Sequence, residues 1–521
     1  MNEIAILLLT AAVGATIARR FKLPSIPLLL FAGWLLSLTG FLLSEAMMTK
    51  ALELGVAFLA FASGVELDSR EGGRRIRFTL PAALFQMFVS ALLAFALSLA
   101  LGLEVLTAIY LAIAVSISST LVSTRQLRRL GQTQEPFARF SKLMLVSQDA
   151  VVIVVIALLA AWGSEMHAWP IAVLGAVLLL ALAIILRGWM ANRMEQAHRV
   201  DDESLLLGLL ATLFAFLGIA SFLGLPIVVG AFCGGLVFSR FPSNGIVRGQ
   251  LSSLTDFFAA LFFTTLAQLS VSPTVMILLE AFFFTGVILV SRFFLGYLLA
   301  RRAGLDSRGA TESALLLAQV GEYALVIGLI ALERGVFGHN EMALLGLIAA
   351  FTMMITPLVA HDRVASLILQ LRRRIRPLPQ PGAWEGHVLM IGYGAGGKWV
   401  ARPLRKAGIP FVVIDDDPAV VEMLRQEQIP SVLGDGTDPA VLQSARVDQA
   451  KAVLASPRRV SDGLKVLRHV RDIPVIVRVF EQSEAEAAKL AGGIPIRNSL
   501  AAAEQFMEWY AASGKISQPK D

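Results

Sequence analysis

Long apolar runs recur from Asn2 to about Val359, and a short polar segment separates each run from the next. A run of about 20 residues can cross the hydrocarbon core of a bilayer as one α-helix. The pattern therefore predicts a multi-pass α-helical membrane domain of about thirteen spans. Their expected limits are 2–18, 25–43, 50–65, 80–102, 104–124, 143–162, 169–186, 204–222, 225–239, 254–270, 273–300, 309–332 and 341–360.

The pattern changes after His361. Arginines and prolines crowd the next segment, and from His387 short strand-like runs alternate with amphipathic helical segments. Such alternation predicts an α/β fold with a parallel sheet. We therefore expect a membrane domain at 1–362, a basic and proline-rich linker at 363–386, a soluble α/β domain at 387–500 and a C-terminal tail at 501–521.

Composition agrees with a membrane protein. Hydrophobic residues make up 56% of the chain and charged residues only 16%, whereas soluble domains average about 45–50% and about 25%. This balance excludes a wholly soluble chain and a disordered one. The single cysteine, Cys233, excludes a disulfide-stabilised scaffold. The first apolar run lacks a basic n-region and a small-residue cleavage site, so we expect it to be retained as a span.

The distribution of positive charge predicts the orientation. Loops after odd-numbered spans carry 20 lysines and arginines, whereas loops after even-numbered spans carry only Lys50 and Arg334. Lysine and arginine concentrate on the cytoplasmic side of a membrane. We therefore expect the N-terminus outside and the C-terminal domain in the cytoplasm.

Two proline-containing spans indicate an inverted repeat. Leu23-Pro24 is followed by Phe31 and Gly33, and Leu225-Pro226 is followed by Phe232 and Gly234, seven spans later. An odd displacement makes the two copies run in opposite directions, as in many secondary transporters. A coincidence between two helices rich in proline and glycine is the alternative.

Asp149 is the clearest candidate for chemistry inside the membrane. It follows Gln148 within an apolar stretch of the sixth predicted span. Ionisable residues within a span are costly and are functional by default. A carboxylate there can exchange a proton for a metal cation, which is what an antiporter requires. The alternative is a structural carboxylate that pairs with Lys142 near the membrane surface.

Spans five and twelve also carry polar residues at their centres. Span five contains Ser116, Ser118, Ser119 and Thr120, whose hydroxyls compete with the helical hydrogen bonds and favour local unwinding. Span twelve contains the run 319–323, in which Gly321 precedes Glu322. The two sites match under the proposed repeat. The alternatives are hydrogen bonds between intact helices, and a structural role for Glu322 opposite a basic residue such as Arg292.

The soluble domain carries a nucleotide-binding pattern. The strand-like run 387–391 leads into a G-x-G-x-x-G turn with Gly392, Gly394, Ala395 and Gly397, and a second strand ends at Asp415. The glycines let the backbone approach a pyrophosphate, and the acid holds the ribose hydroxyls. Asp435, after the third strand, would contact the base end of the nucleotide. Alternatively, Asp435 belongs to a turn that precedes a helix capped by Asp438.

Other machinery is absent from the sequence. No TVGYG-type filter lies among the spans, and no Walker A motif occurs, so neither a potassium channel nor an ATP-driven pump is indicated. No downstream catalytic domain follows the nucleotide-binding pattern. We therefore expect a secondary transporter rather than an enzyme, with no nucleic-acid partner.

The chain resembles the Kef branch of the monovalent cation:proton antiporters, followed by an RCK domain of the TrkA-N type. The similarity covers almost the whole chain, and its RCK part runs from His387 to about Ile496. The matching stretches are Leu54-Gly55, Gly64 to Asp68, Ser118-Ser119-Thr120, Gln148-Asp149, Gly230-Ala231-Phe232 with Gly234, and Gly321-Glu322-Tyr323.

This resemblance implies a sodium/proton-exchanger-like fold in the bacterial inner membrane and a homodimer formed through both domains, with an elevator-like motion. It implies potassium efflux coupled to proton uptake, with Asp149 binding K⁺ and H⁺ in turn. We expect Gln148, Ser119 and Thr120 to supply neutral oxygens to the bound cation, with Ser118 and Glu322 also at the ion site. The single acid beside Gln148 favours electroneutral exchange.

The resemblance also implies a regulatory adenine nucleotide (AMP, ATP or NAD(H)) on the Rossmann-like RCK domain. Departures from the family pattern at Pro27, 263–269 and 456–459 leave the ion preference and the ligand open. Na⁺/H⁺ exchange, and a nucleotide-sensing membrane protein without transport, remain alternatives. An ancillary or thiol-linked regulator also stays open, because no glutathione-binding residues can be placed.

Overall fold

The structure is a computed structural model of the chain. It describes residues 2–497 apart from 22, 42, 68–72, 134, 162–167, 197–201, 241–242, 270–272, 362–363, 366, 369–383, 457–459, 471 and 480. The chain divides into two compact units, Met1–Ser366 and Leu367–Asp521. Most of the predicted linker and the whole predicted tail lie outside the described residues.

The first unit is helical. Its helices are α1 (Asn2–Arg20), α2 (Ser25–Leu38), α3 (Glu45–Glu66), α4 (Gly73–Ala100), α5 (Val105–Val115), α6 (Thr120–Arg129), α7 (Pro136–Ala161), α8 (Ala168–Gln196), α9 (Asp202–Phe222), α10 (Ile227–Leu236), α11 (Ser243–Leu266), α12 (Val275–Arg302), α13 (Ser307–Leu317), α14 (Tyr323–Glu333) and α15 (His339–Val359). A short 3-10 helix, Ala267–Leu269, follows α11.

Each predicted span coincides with one helix or with a pair of half-helices. Spans five and twelve are the pairs, because α5 and α6 are separated by residues 116–119, and α13 and α14 by residues 318–322. The predicted unwinding at both sites is therefore confirmed. Among the described residues, seven helical segments are long and apolar enough to cross a membrane. The total of thirteen crossings stays a prediction.

The helices sort into two groups by their packing. Helices α1–α3 and α8–α11 form one, which we call the α11 group, and α4–α7 and α12–α15 form the other, the α12 group. Each group draws helices from both halves of the chain, as an inverted repeat would. Both broken helices belong to the α12 group.

The second unit is an α/β domain. Its elements are β1 (Val388–Ile391), α16 (Ala395–Lys406), β2 (Phe411–Asp415), α17 (Pro418–Gln426), β3 (Ser431–Leu433), α18 (Pro439–Ser444), a 3-10 turn (Val447–Gln449), β4 (Ala452–Ala455), α19 (Val460–His469), β5 (Val475–Val479), α20 (Gln482–Leu490) and β6 (Ile494–Arg497).

The six strands form one parallel sheet in the order β3-β2-β1-β4-β5-β6. Val388 of β1 pairs with Phe411 on one side and with Ala452 on the other, so β1 is central. The predicted parallel sheet is confirmed. Strand β6 was not predicted, because Pro495 interrupts a short run, as is typical of edge strands.

Candidate functional site

The first helix break exposes backbone carbonyls that a buried arginine satisfies. Ser119 is the N-cap of α6, and its hydroxyl accepts a hydrogen bond from the amide of Val122 over 3.2 Å. Arg292 of α12 is fully buried and donates to the carbonyls of residues 115, 116 and 117 at 3.0–3.2 Å, and to the hydroxyl of Ser118. The guanidinium thus replaces the hydrogen bonds that the end of α5 lacks.

The two breaks cross each other in direct contact. The amide of Gly321 donates to the carbonyl of Ile117 over 2.8 Å, and the Ser118 hydroxyl donates to the carbonyl of Leu317 over 3.0 Å. The side-chain amide of Gln319 donates to the carbonyl of Ser119 over 3.1 Å. Broken helices seven spans apart therefore support one another, which is the match that the sequence predicted.

Asp149 lies on α7 beside this crossing and is buried. Thr120, the first residue of α6, donates its hydroxyl to Oδ2 over 3.0 Å. The other oxygen, Oδ1, is buried and has no hydrogen-bond partner within the part of the chain that the structure describes. Lys142 forms no ion pair with Asp149 in those same ranges, so the structural alternative for this carboxylate finds no support.

Gln148 forms its hydrogen bonds with the first break and with α4. Its Oε1 accepts a bond from the amide of Ser118 over 2.9 Å, and its Nε2 donates to Oε1 of Gln86 on α4 over 3.2 Å. The side chains of Gln86, Ser118 and Gln148 are buried. Because the Ser118 amide can only donate, it defines which end of the Gln148 amide is the oxygen. Gln148 therefore holds the first break in place.

Ser119 and Glu322 pair with each other across the two breaks. The Ser119 hydroxyl donates to Oε2 of Glu322 over 2.6 Å, and the backbone of Leu121 also interacts with this carboxylate. Glu322 thus lies at the N-terminus of α6, where the helix dipole favours negative charge. Arg292 makes its bonds to the first break instead, so the suggested pairing of Glu322 with Arg292 does not occur.

Two further side chains lie close to Asp149, and the carboxylates of Glu322 and Glu66 interact with it electrostatically. Tyr323, the first residue of α14, donates its hydroxyl to Ser63 of α3 over 3.1 Å, and both are buried. The Ser63 side chain also approaches the Asp149 carboxylate. Ser63 belongs to the α11 group, whereas Asp149 and Tyr323 belong to the α12 group. The site therefore lies where the two groups meet.

The structure gives the predicted site residues different partners. Thr120 faces Asp149, whereas Ser118, Ser119, Gln148 and Glu322 are committed to the helix breaks. Ser63, Gln86 and Tyr323 were not predicted from the sequence to belong to the site. Arg292 was predicted only as a possible partner for Glu322, although an arginine inside an apolar span is itself a functional signal.

The glycine-rich turn of the second unit has the expected form. Gly392 follows β1 with φ of +86°, and a Cβ on Gly397 would lie 2.4 Å from the Gly392 carbonyl oxygen. Gly394 precedes Ala395, the first residue of α16, and a Cβ on Gly394 would meet no atom within 4 Å. The turn thus leaves open space at the helix N-terminus, where phosphate groups bind in Rossmann folds.

The two acids near this turn differ in their bonding. Asp415, at the end of β2, accepts from the amide of Tyr393 over 2.8 Å and from that of Asp417 over 2.9 Å. Asp415 thus lies at the end of the second strand, where Rossmann folds place a ribose-binding acid. Asp435 accepts from the amide and the hydroxyl of Thr437, which is a local turn, and Asp438 caps α18.

Comparison with known families agrees with both units. The transmembrane family of sodium/hydrogen exchangers matches residues 6–361. The chain belongs to this family. The TrkA-N domain matches residues 388–495. The chain is therefore a multi-pass membrane protein, a cation/proton antiporter with a C-terminal RCK domain, and the expected family and fold class are confirmed.

Known relatives share most of its length. A protein of Alkalimonas amylolytica named K(+) efflux antiporter KefB is 25% identical over 491 residues, covering 88% of this chain and 72% of the relative. One of Escherichia coli named cation/proton antiporter YbaL is 24% identical over 479 residues, covering 85% of each. The solved structure of the sodium proton antiporter MjNhaP1 from Methanocaldococcus jannaschii is similar in fold, with 16% identity, TM-score 0.54, and coverage of 71% of this chain and 99% of that one.

Proposed function

We propose that this antiporter exchanges one K⁺ for one H⁺ at Asp149, with K⁺ leaving the cell as H⁺ enters. The observation that carries the proposal is the buried carboxylate of Asp149: Oδ2 accepts from Thr120, whereas Oδ1 forms no hydrogen bond of normal geometry within the described ranges and has the Ser63 side chain nearby. A buried oxygen without a partner costs free energy, which a bound proton or cation would recover.

The chemistry follows from one carboxylate and few neutral oxygens. The hydroxyls of Thr120 and Ser63 lie beside Asp149, whereas Gln148 and Glu322 stabilise the breaks and are not ligands in this proposal. Proton and cation compete for the same oxygens, so each weakens the other's binding by the same factor. A single acid carries one charge in either direction, and the exchange is electroneutral.

The test uses purified protein in liposomes that contain a pH-sensitive dye and hold an imposed proton gradient. Addition of K⁺ is expected to collapse the gradient in the wild type and not in Asp149→Asn. Glu280→Gln is the matched control, because it neutralises another carboxylate on a membrane helix, α12, away from the crossing. This variant is expected to exchange like the wild type.

Other results of the same test would contradict parts of the proposal or support an alternative function. Full exchange by Asp149→Asn contradicts the role of this carboxylate, and collapse by Na⁺ but not K⁺ makes the protein a Na⁺/H⁺ antiporter. Exchange that responds to an imposed membrane potential contradicts electroneutrality. Absence of exchange with either ion supports a membrane protein that senses nucleotides without transport.

We further propose that an adenine nucleotide on the RCK domain controls the exchange rate. The open turn at Gly394 and the carboxylate of Asp415 support this ligand class. A nucleotide changes the rate only if it binds the transporter's conformations unequally.

The test compares AMP, ATP, NAD⁺ and NADH on the wild type, Gly394→Asp and Gly394→Ala. The aspartate places a negative charge in the open space, where it repels phosphate, whereas alanine adds only a methyl group. Loss of the nucleotide response in the aspartate variant alone is expected. An undiminished response in both variants contradicts this binding site.

A further inference from the structure

A large cavity lies at one end of the first unit, apart from Asp149. Helices α1, α2, α6 and α11 and Pro357 of α15 enclose a volume of about 720 Å³. Most of its wall is apolar, and α1 contributes several alanines to it. Representative wall residues are Ala11, Ala15, Leu8, Leu29 and Phe263.

The polar residues of this cavity are mainly basic. Arg19, in the last turn of α1, and Arg125 and Arg129, one turn apart on α6, contribute three guanidinium groups. The only acidic residue lining the cavity is Asp256 of α11, among the residues that the structure describes. The described residues that line the cavity therefore carry a formal charge of about +2, next to an apolar wall.

This combination selects a ligand that is both apolar and anionic. The apolar wall on the α1 and α2 side of the cavity can hold an acyl chain by van der Waals packing, as apolar surfaces do inside a membrane. Guanidinium groups bind phosphate through paired hydrogen bonds, and basic pockets between membrane helices recruit anionic headgroups. A free phosphate ion leaves the apolar wall uncovered, and a zwitterionic lipid brings no net charge.

We propose that this cavity binds an anionic phospholipid of the adjoining leaflet. Its phosphate lies between Arg19 and Arg129, and one acyl chain lies along α1 and α2.

The proposed lipid site is connected to the helices around Asp149 through Arg125. Arg125 forms an ion pair with Asp256 and donates to the hydroxyl of Ser25 over 2.7 Å. These two charged residues also line a second cavity, of about 370 Å³, together with Glu66 and Lys142. The ion pair therefore lies between the two cavities and joins α6, of the α12 group, to α11, of the α11 group.

A phosphate between Arg19 and Arg129 also lies near Arg125, one turn from Arg129 on α6, and there it competes with Asp256 for the Arg125 guanidinium. Because that ion pair links the two helix groups at α6, weakening it frees α6 relative to α11. Helix α6 begins at Thr120, which contacts Asp149. The anionic lipid is therefore expected to increase the exchange rate. This second consequence rests on the proposed exchange at Asp149, whereas binding of the lipid does not.

The first test measures binding alone. The full-length protein in detergent is mixed with phosphatidylglycerol or with phosphatidylcholine of the same acyl chains, and retained lipid is counted by native mass spectrometry. The wild type is expected to retain phosphatidylglycerol preferentially. Arg19→Gln/Arg129→Gln is expected to bind it roughly tenfold or more weakly, because each basic group near an anionic headgroup contributes appreciably.

Arg20→Gln is the matched control, because Arg20 is the exposed neighbour of Arg19 and does not line the cavity. It is expected to retain phosphatidylglycerol like the wild type. Equal retention of both lipids by the wild type, or unchanged retention by the double variant, overturns the proposal. Equal loss in Arg20→Gln and in the double variant also overturns it, since nonspecific charge then explains binding.

The second test measures exchange in vesicles made of phosphatidylcholine with or without phosphatidylglycerol. The wild type and Arg20→Gln are expected to exchange faster with phosphatidylglycerol, and the double variant is expected to be insensitive. Asp256→Asn should exchange equally fast in both vesicles, because its ion pair is already weakened. A double variant that keeps the wild-type lipid response overturns the link to transport. Absent exchange in every vesicle contradicts the proposed exchange, and the binding test still decides the site.

Discussion

Gly321 and Ser118 touch through their backbones at the point where the two broken helices cross. A Cβ on Gly321 would lie 2.8 Å from the carbonyl oxygen of Ser118 and 2.9 Å from its carbonyl carbon. Only glycine allows this approach, and the amide of Gly321 uses it to reach the carbonyl of Ile117. The contact positions the N-terminus of α6, and therefore Thr120, beside Asp149.

Gly321→Ala is expected to force the two breaks apart. Overpacking of this kind costs about 1–3 kcal/mol of folding free energy, and it displaces Thr120 from the carboxylate. We expect a lower unfolding temperature and loss of most exchange activity, measured in detergent and in liposomes. Gly286→Ala on α12 is the control, because its Cβ would meet no atom within 4 Å. Wild-type exchange by Gly321→Ala would show that the breaks tolerate separation.

Arg292 is expected to be irreplaceable by lysine. Its guanidinium donates to three carbonyls and one hydroxyl of the first break, whereas a lysine ammonium is a compact charge with a different geometry. Arg292→Lys should therefore lose exchange and stability nearly as strongly as Arg292→Met, by roughly 2 kcal/mol or more.

The control is Arg302→Lys, at the exposed C-terminal end of α12. It is expected to behave like the wild type in both unfolding temperature and exchange. Recovery of exchange by Arg292→Lys would mean that only the charge of this residue is needed.

Gln86 and Gln148 are expected to act as one unit. Gln148 accepts from the Ser118 amide of the first break and donates to Gln86, so removing either glutamine should leave a buried polar group unsatisfied. Residues in one hydrogen-bond network show coupling energies of about 0.5–3 kcal/mol. A double-mutant cycle of Gln86→Leu and Gln148→Leu should therefore be non-additive, measured by thermal unfolding. Ser90→Ala, one turn further along α4, serves as the comparison for Gln86 and is expected to be additive with Gln148→Leu.

Acidification is expected to destabilise the second unit through His387. Its Nε2 lies 3.2 Å from the carbonyl of Ala445, and the buried Nδ1 has no partner in the described ranges. Burial lowers the pKa of His387 from its ordinary 6.5. The unfolded chain then binds the proton more readily, so stability that is present above pH 6.5 is lost as the pH falls below it.

Hydrogen exchange of β1 in the full-length protein, corrected for intrinsic rates, would measure this loss between neutral and acidic pH. His387→Gln should reduce the pH dependence, because glutamine does not titrate. His469→Gln, at an exposed position on α19, should leave it unchanged. The same pH dependence in His387→Gln and the wild type would assign it to another group.

Local sequence patterns predicted most of the fold. Apolar runs indicated the membrane helices, and the alternation after His387 indicated the parallel sheet and its glycine turn. The hydroxyl cluster at 116–120 and the glycine at 321 indicated both helix breaks. These features depend on residues close together in the chain, where hydrophobic periodicity and backbone preferences act. Helix ends were less certain, and α11 begins eleven residues before the expected limit.

The sequence by itself determined that a carboxylate, hydroxyls and a glycine lie inside the membrane, and only the tertiary structure decided which of them face one another. Gln148 and Asp149 are adjacent in sequence, but successive residues on an α-helix point about 100° apart, so one holds a break and the other faces Thr120. Arg292 contacts the first break from about 175 residues away. Such contacts depend on how the helices pack, because polar groups inside a membrane must find partners on neighbouring helices.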